Sequence, residues 1–138
     1  LNDLARLLRK RKLRIKAITL LAKIGKPALP QLFAASTHKS LAVRKRAVVA
    51  VKALGAGKKL DRVRIAALDL AQTRSCDGRR AVVARLRAME DPRALDVLRK
   101  ARRSRRTALR FIRYGKKHAC IIKELDEASA HLEEQLER

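Results

Sequence analysis

The stretch "VRKRAVVAVKALG", Val43 to Gly55, decides how this chain folds. Ala47, Val48, Val51 and Leu54 recur at helical spacing, so one side of the segment is apolar and suited to burial. The same segment carries Arg44, Lys45, Arg46 and Lys52, and its closing glycine suits a left-handed helix C-cap. Slid along the chain, it recurs. "KAITLLAKIG" (Lys16–Gly25) lies on "RAVVAVKALG" (Arg46–Gly55) at an offset of 30 residues, matching Ala17 with Ala47, Ile18 with Val48, Leu21 with Val51, Ile24 with Leu54 and Gly25 with Gly55. A third copy, "RAVVARLRAME" (Arg80–Glu90), keeps Val83, Leu86 and Met89 and has Glu90 where the glycine stood.

The segments after these copies also repeat. "PALPQL" (Pro27–Leu32) and "PRALDVL" (Pro92–Leu98) share A-L-x-x-L, aligning Ala28 with Ala94, Leu29 with Leu95 and Leu32 with Leu98. Proline just inside a helix start fits its missing N–H and fixed φ. The unit is a short Pro-started helix, a turn and a longer helix, and a period of about 30 to 35 residues signals a helical solenoid. Composition agrees. Of 138 residues, 47% are hydrophobic, yet there are two Phe, one Tyr and no Trp, so the core is left to Ala, Leu, Val and Ile. Three prolines and five glycines leave little for a turn-rich β-fold, and an all-α protein is expected.

These motifs resemble the HEAT repeats of the bacterial, PBS-lyase HEAT-like type. "VRKRAVVAVKALG", "DRVRIAALDLA" (Asp61–Ala71) and "EDPRALDVLRKA" (Glu90–Ala101) are similar to pieces of that consensus, over roughly Leu13 to Arg103. The resemblance implies a right-handed α-solenoid of helical hairpins and says little about function. HEAT-like repeats place an acidic residue shortly before the V-R pair. Asp61 nearly fills that role before Val63-Arg64, whereas Ser40 precedes Val43-Arg44 and is expected to cap the helix instead.

Outside the repeats, "RKARRSRR" (Arg99–Arg106) leads into "TALRFIRYG" (Thr107–Gly115), a short helix stopped at glycine. Residues 119–138 form an amphipathic helix with the stripe Ile121, Ile122, Leu125, Ala128, Leu132 and Leu136, expected to cap the last repeat. The expected organisation is a basic body, 1–118, carrying an acidic helix, 119–138, on the same domain. The chain begins at Leu1 rather than Met, as a piece of a longer protein would.

The formal net charge is +23, and it is unevenly divided. Residues 119–138 hold six acidic side chains, so residues 1–118 carry 34 basic against 7 acidic groups. Solvated helix faces explain scattered cations but not such an excess, since Glu would serve them as well. The residues expected to meet a partner are Arg9, Lys10, Arg11 and Lys12; Arg44, Lys45 and Arg46; and Arg99, Arg102, Arg103, Arg105, Arg106, Arg110, Arg113, Lys116 and Lys117. An acidic protein surface ranks first as partner. Backbone binding to duplex DNA or structured RNA is the alternative, with affinity falling by about 0.9 log units per phosphate neutralised for each log unit of salt. Scarce aromatics argue against single-strand stacking. The "ACIIKELDEASAHLE" helix (Ala119–Glu133) further resembles HEAT-like extensions of bacterial Ser/Thr protein kinases, which implies a regulatory or targeting role.

Catalysis, cofactors and metals find little footing. "GAGKK" (Gly55–Lys59) lacks the context of a phosphate loop and reads as an inter-repeat turn. HEAT-like DNA glycosylases embrace a base with aromatic side chains, and here there are only Phe33, Phe111 and Tyr114. Asp69 lies within a repeat helix, and Asp91, before a proline, reads as a cap. His118, His131 and the cysteines lack zinc-site spacing. Cys76 and Cys120 are expected as two reduced thiols of a cytoplasmic protein, with one disulfide as the alternative. No uncharged apolar run approaches the roughly 18 residues of a membrane span.

Overall fold

The computed structural model describes residues 1–108 and 120–138, and these form helices joined by short turns, without a strand among them. The helices are α1 (Asn2–Leu7), α2 (Arg14–Ile24), α3 (Leu29–Ser36), α4 (Leu41–Ala53), α5 (Arg62–Gln72), α6 (Cys76–Arg87), α7 (Pro92–Ala108) and α8 (Ile122–Glu137). Single 3-10 turns at Lys26–Ala28 and Gly57–Lys59 connect α2 to α3 and α4 to α5. Among the described residues, no helix is long and apolar enough to cross a membrane. Most of the helix expected over Thr107–Gly115 lies outside the described residues.

The chain divides into two compact units, Leu1–Leu68 and Asp69–Arg138. In the first, α2, α3 and α4 pack on one another and α1 packs on α2. Its core is the stripe read from the sequence, with Ala17, Ile18, Leu21, Ala47 and Val51 buried beside Ala28, Leu32 and Ala35. In the second unit α6, α7 and α8 make the same three pairings, through Val82, Val83 and Leu86, then Ala94, Leu95 and Leu98, then Ile121, Leu125, Ala128 and Leu132. By which helices touch, α8 stands to α6 and α7 as α4 stands to α2 and α3. Small and branched aliphatic side chains allow this close approach, and each large one buried contributes about 1.5–3 kcal/mol.

One local device occurs three times. Arg14 Nε donates to the Leu8 carbonyl at 3.0 Å, Arg44 Nη1 to the His38 carbonyl at 2.7 Å, and Arg79 Nε to the Thr73 carbonyl at 2.7 Å. Each arginine sits near the start of its helix and reaches back six residues, the direction in which helical side chains lean. Eleven residues after each one, the backbone takes a positive φ: Gly25 at 82°, Gly55 at 76° and Glu90 at 51°. Glycine adopts such angles without penalty, while Glu90 does so at a cost of about 1 kcal/mol or more. The structural period is therefore 30 residues from Arg14 to Arg44 and 35 from Arg44 to Arg79. The identical "RAVVA" pentads, Arg46–Ala50 and Arg80–Ala84, are one residue out of step with it.

This device corrects the expectation for Arg44. It is 1% exposed, so it is not a surface cation. A buried guanidinium is tolerated only when its N–H groups find acceptors, and Arg44 Nη1 also lies 3.2 Å from the Lys39 carbonyl. Arg79 is buried likewise, which pushes its pKa down from the ordinary arginine range. Arg64, by contrast, is exposed although Val63 before it is buried, so "DRVRIAALDLA" is built differently. Caps differ from expectation as well. Ser40 makes no side-chain cap bond, whereas Ser75 Oγ accepts from the Gly78 N–H at 3.1 Å and Asp61 from the Arg64 N–H at 3.2 Å.

A second correction concerns sulfur. Cys76 and Cys120 are joined in a disulfide, not left as two thiols. Packing of α8 against α6 brings the starts of the two helices together, a proximity that 44 residues of intervening sequence conceal. The inference of a reducing, cytoplasmic setting rested on free thiols and loses that support. Closing a loop of this length restricts the unfolded chain by about 4 kcal/mol in the chain-entropy model.

Two outcomes are expected. Arg44→Ala should lower the unfolding free energy by about 3 kcal/mol, since it removes a buried side chain and strips the donor from the half-buried His38 carbonyl, and Arg44→Lys should recover little because an ammonium lacks the guanidinium's fork. Urea denaturation measures both. The double variant Cys76→Ser/Cys120→Ser should lose up to about 4 kcal/mol, and wild-type protein in reductant should melt with it.

Candidate binding surface

The two units use their charge differently. Residues 1–68 carry 18 Lys and Arg against two acids, Asp3 and Asp61, while residues 69–138 carry 18 against 11. Arg9, Lys10, Arg11 and Lys12 are all exposed on the turn between α1 and α2. Arg14 holds that turn, bonding the Leu8 carbonyl at 3.0 Å and the Arg9 carbonyl at 3.4 Å. Lys45 and Arg46 are exposed on α4, directly beyond the buried Arg44. Burial and exposure thus alternate within three consecutive cations because helical rotation turns Arg44 inward and the next two outward.

In the second unit the expected cations meet the acidic helix. Arg99 pairs with Glu133 at 2.9 Å and Arg102 with Asp126 at 2.8 Å, linking α7 to α8. Arg80 of α6 is bonded to Glu124 and Asp77, each at 2.8 Å, and to the Cys120 carbonyl at 3.1 Å beside the disulfide. The Glu124 backbone N–H and then Arg80 hold the Glu124 carboxyl below the usual glutamate range. Exposed pairs of this kind contribute little stability, because water and salt screen them. Their effect is on the field: the apolar stripe docks α8, and α8 then lays carboxylates over the arginines of α6 and α7. Arg103 is exposed. Arg105 and Arg106 belong to α7. Arg110, Arg113, Lys116 and Lys117 lie outside the described residues, as do His118, Phe111 and Tyr114.

Other sequence candidates take structural roles. Asp69 is buried and paired with Arg85 at 2.8 Å. Asp91 Oδ1 accepts from the Arg93 N–H at 2.8 Å at the start of α7. "GAGKK" forms the positive-φ residue Gly55 and the 3-10 turn Gly57–Lys59. The two sulfurs bond each other and are not available to a metal together with a histidine. Sequence reading missed exposed aliphatic residues on the first unit, Leu20 at 46% and Val49 at 67% among them, and Ile24, matched to Leu54 in the repeated apolar stripe, is 44% exposed rather than buried. The 30-residue register could have revealed Val49, whose counterpart Thr19 is exposed likewise, but not Leu20, whose counterpart Ala50 is buried.

His38 lies among the cations of the first unit. Its Nδ1 accepts from the Ser40 N–H at 3.0 Å, and its carbonyl receives Arg44. Partial burial first, then Arg14, Lys39 and Arg44, push its pKa below the ordinary 6.5. A proton on Nδ1 removes the acceptor that Ser40 uses.

Comparison with known proteins finds no matching family model, no matching curated protein and no matching solved structure.

The lowered His38 pKa fixes a sign. Its contribution to stability is present above pH 6.5 and is lost as pH falls from there toward the folded-state value, because the unfolded chain binds the proton first. Thermal melts should show decreasing stability across that window in wild type, and a flatter profile for His38→Gln.

Proposed function

We propose that this chain is a non-catalytic binding module, a right-handed α-solenoid of HEAT-like helical hairpins whose basic first unit engages an acidic protein surface. The observation that carries this reading is the 18-to-2 imbalance of residues 1–68, with Arg9, Lys10, Arg11, Lys12, Lys45 and Arg46 exposed to solvent. The second unit supplies acids from α8 to its own arginines, and the first unit has no such helix in its sequence. Like charges held at this density repel one another and are relieved by an anionic partner. The three arginine-and-positive-φ copies support a solenoid of repeated hairpins. The resemblance of the 119–133 segment to kinase extensions supports a regulatory place in a larger bacterial signalling protein.

Protein ranks ahead of nucleic acid because Leu20, Ile24 and Val49 are exposed on the same helices as the cations. A phosphodiester backbone has no use for aliphatic side chains, whereas the centre of a protein interface does. The exposed Arg9–Lys12 run keeps backbone binding to duplex DNA or structured RNA as the second reading.

Fluorescence anisotropy with a labelled poly-glutamate 20-mer and a labelled 20-mer duplex, titrated in salt up to about 0.15 M, tests the choice. Acidic peptide binding that persists there should weaken about tenfold in Lys45→Glu/Arg46→Glu and change little in Arg99→Glu/Arg102→Glu. Sub-micromolar duplex binding without peptide binding at that salt would transfer the assignment to nucleic acid.

A further inference from the structure

Helix α8 covers a surface that would be strongly basic without it. Residues 69–118 carry 16 Lys and Arg against five acids, and residues 119–138 add six acids and two cations. Ile121, Leu125, Ala128 and Leu132 are buried where α8 packs on α6 and α7. Around that apolar line Glu124 meets Arg80, Asp126 meets Arg102 and Glu133 meets Arg99, each within 2.9 Å. The α6–α7 face therefore takes a helix that is apolar along one line and acidic beside it. A single covalent bond fastens α8 there, between Cys76, the first residue of α6, and Cys120, two residues before α8. Both cysteines are half-buried rather than enclosed, which leaves the sulfurs within reach of an external thiolate. The N-terminus of α6 favours negative charge on a sulfur departing from Cys76. Arg80 couples the bond to the ion pairs: it donates to the Cys120 carbonyl at 3.1 Å and bonds Glu124 and Asp77, each at 2.8 Å. Displacing Cys120 and α8 takes two of those three acceptors away.

We propose that the α6–α7 face is a second binding surface, for an acidic amphipathic helix of a partner protein, and that α8 occupies it as a resident competitor locked by the Cys76–Cys120 disulfide. This surface lies wholly within the second unit, so the inference goes beyond the proposed function and stands without it. A dithiol opens the lock. One of its thiolates attacks a cysteine sulfur, the S–S bond breaks to a mixed disulfide, and its second thiol then frees the cysteine held there. Two electrons and two protons pass to the protein, which ends with two thiols while the reductant ends as a disulfide. Helix α8 stays seated by its apolar stripe, but only the peptide chain now ties it to α6 and α7. Its effective concentration over the face falls, and a partner helix of the same pattern displaces it without α8 leaving the chain.

A fluorescent peptide of residues 121–138, titrated into the full chain at about 0.15 M salt, is the probe. Cys76→Ser/Cys120→Ser and wild type in dithiothreitol should bind it about tenfold more tightly than the oxidised chain. That gain should persist in Lys45→Glu/Arg46→Glu, which alters only the first unit, and should vanish for a peptide carrying Leu125→Ser/Leu132→Ser. Hydrogen exchange should show α8 amides losing protection when the peptide is added, while α6 and α7 keep theirs. With the disulfide intact, Glu124→Lys/Glu133→Lys in the chain weakens the resident helix alone and should also raise affinity for the unaltered peptide. Equal affinity of the oxidised and reduced chains, a gain lost in Lys45→Glu/Arg46→Glu, or a gain without loss of α8 protection overturns the inference and leaves the first unit's reading standing. Loss of α6 and α7 protection on reduction alone makes the disulfide a structural brace and overturns it too. Dimers of Cys76→Ser/Cys120→Ser that the peptide dissociates, seen by analytical ultracentrifugation, would give the face to α8 of a second copy instead of a partner protein.

Discussion

A guanidinium folded back onto the chain that leads into its own helix is the contact on which the rest of this structure depends. Arg14, Arg44 and Arg79 each tie a carbonyl six residues upstream, and so fix the angle at which chain enters helix. For Arg44 and Arg79 the tie is inside the protein, where an unmatched donor or acceptor is costly. The entry angle is therefore not adjustable. In α2 and α4 alike, the tying arginine and the positive-φ residue that closes the helix are eleven residues apart.

Charge is then divided by helix supply rather than by local composition. Both units hold 18 basic residues, yet only the second contains an acidic amphipathic helix. Its docking is driven by Ile121, Leu125, Ala128 and Leu132, and the ion pairs follow from where those residues place Glu124, Asp126 and Glu133. Screened surface pairs of this sort weaken in salt, but the apolar contact beneath them does not. A fixed carboxylate layer on one unit and none on the other makes two surfaces of different potential from one cation content.

Much of the helical core was legible because burial at helical spacing leaves a period. Ala47 and Val51 and their counterparts Ala17 and Leu21 are read directly, as is the glycine that ends each of the first two stripes. Arg44 was not legible as a buried residue, because arginine is ordinarily a solvated side chain and only its neighbours' carbonyls reveal the exception. The "RAVVA" identity is out of step by one residue because Ala and Val replace one another easily in close-packed helices, while the match of Val83, Leu86, Met89 and Glu90 to Val48, Val51, Leu54 and Gly55 is the register that Arg79 and the positive φ of Glu90 mark. The Cys76–Cys120 bond and the Arg99–Glu133 pair join residues distant in sequence, and only the packing of α8 brings them together. Leu20 and Val49 escaped notice because a single exposed aliphatic residue carries no pattern.

The disulfide also alters what the chain is as a covalent object. Residues 76 to 120 form a closed ring, with Leu1–Ser75 and Ile121–Arg138 as two tails leaving it at the same bond. A protease that cuts the ring once opens it without shortening the molecule: both tails stay linked through sulfur, and α8 keeps its place beside α6. Release of the acidic helix requires a cut outside the ring, or two chemical events of different kinds, one hydrolytic and one reductive.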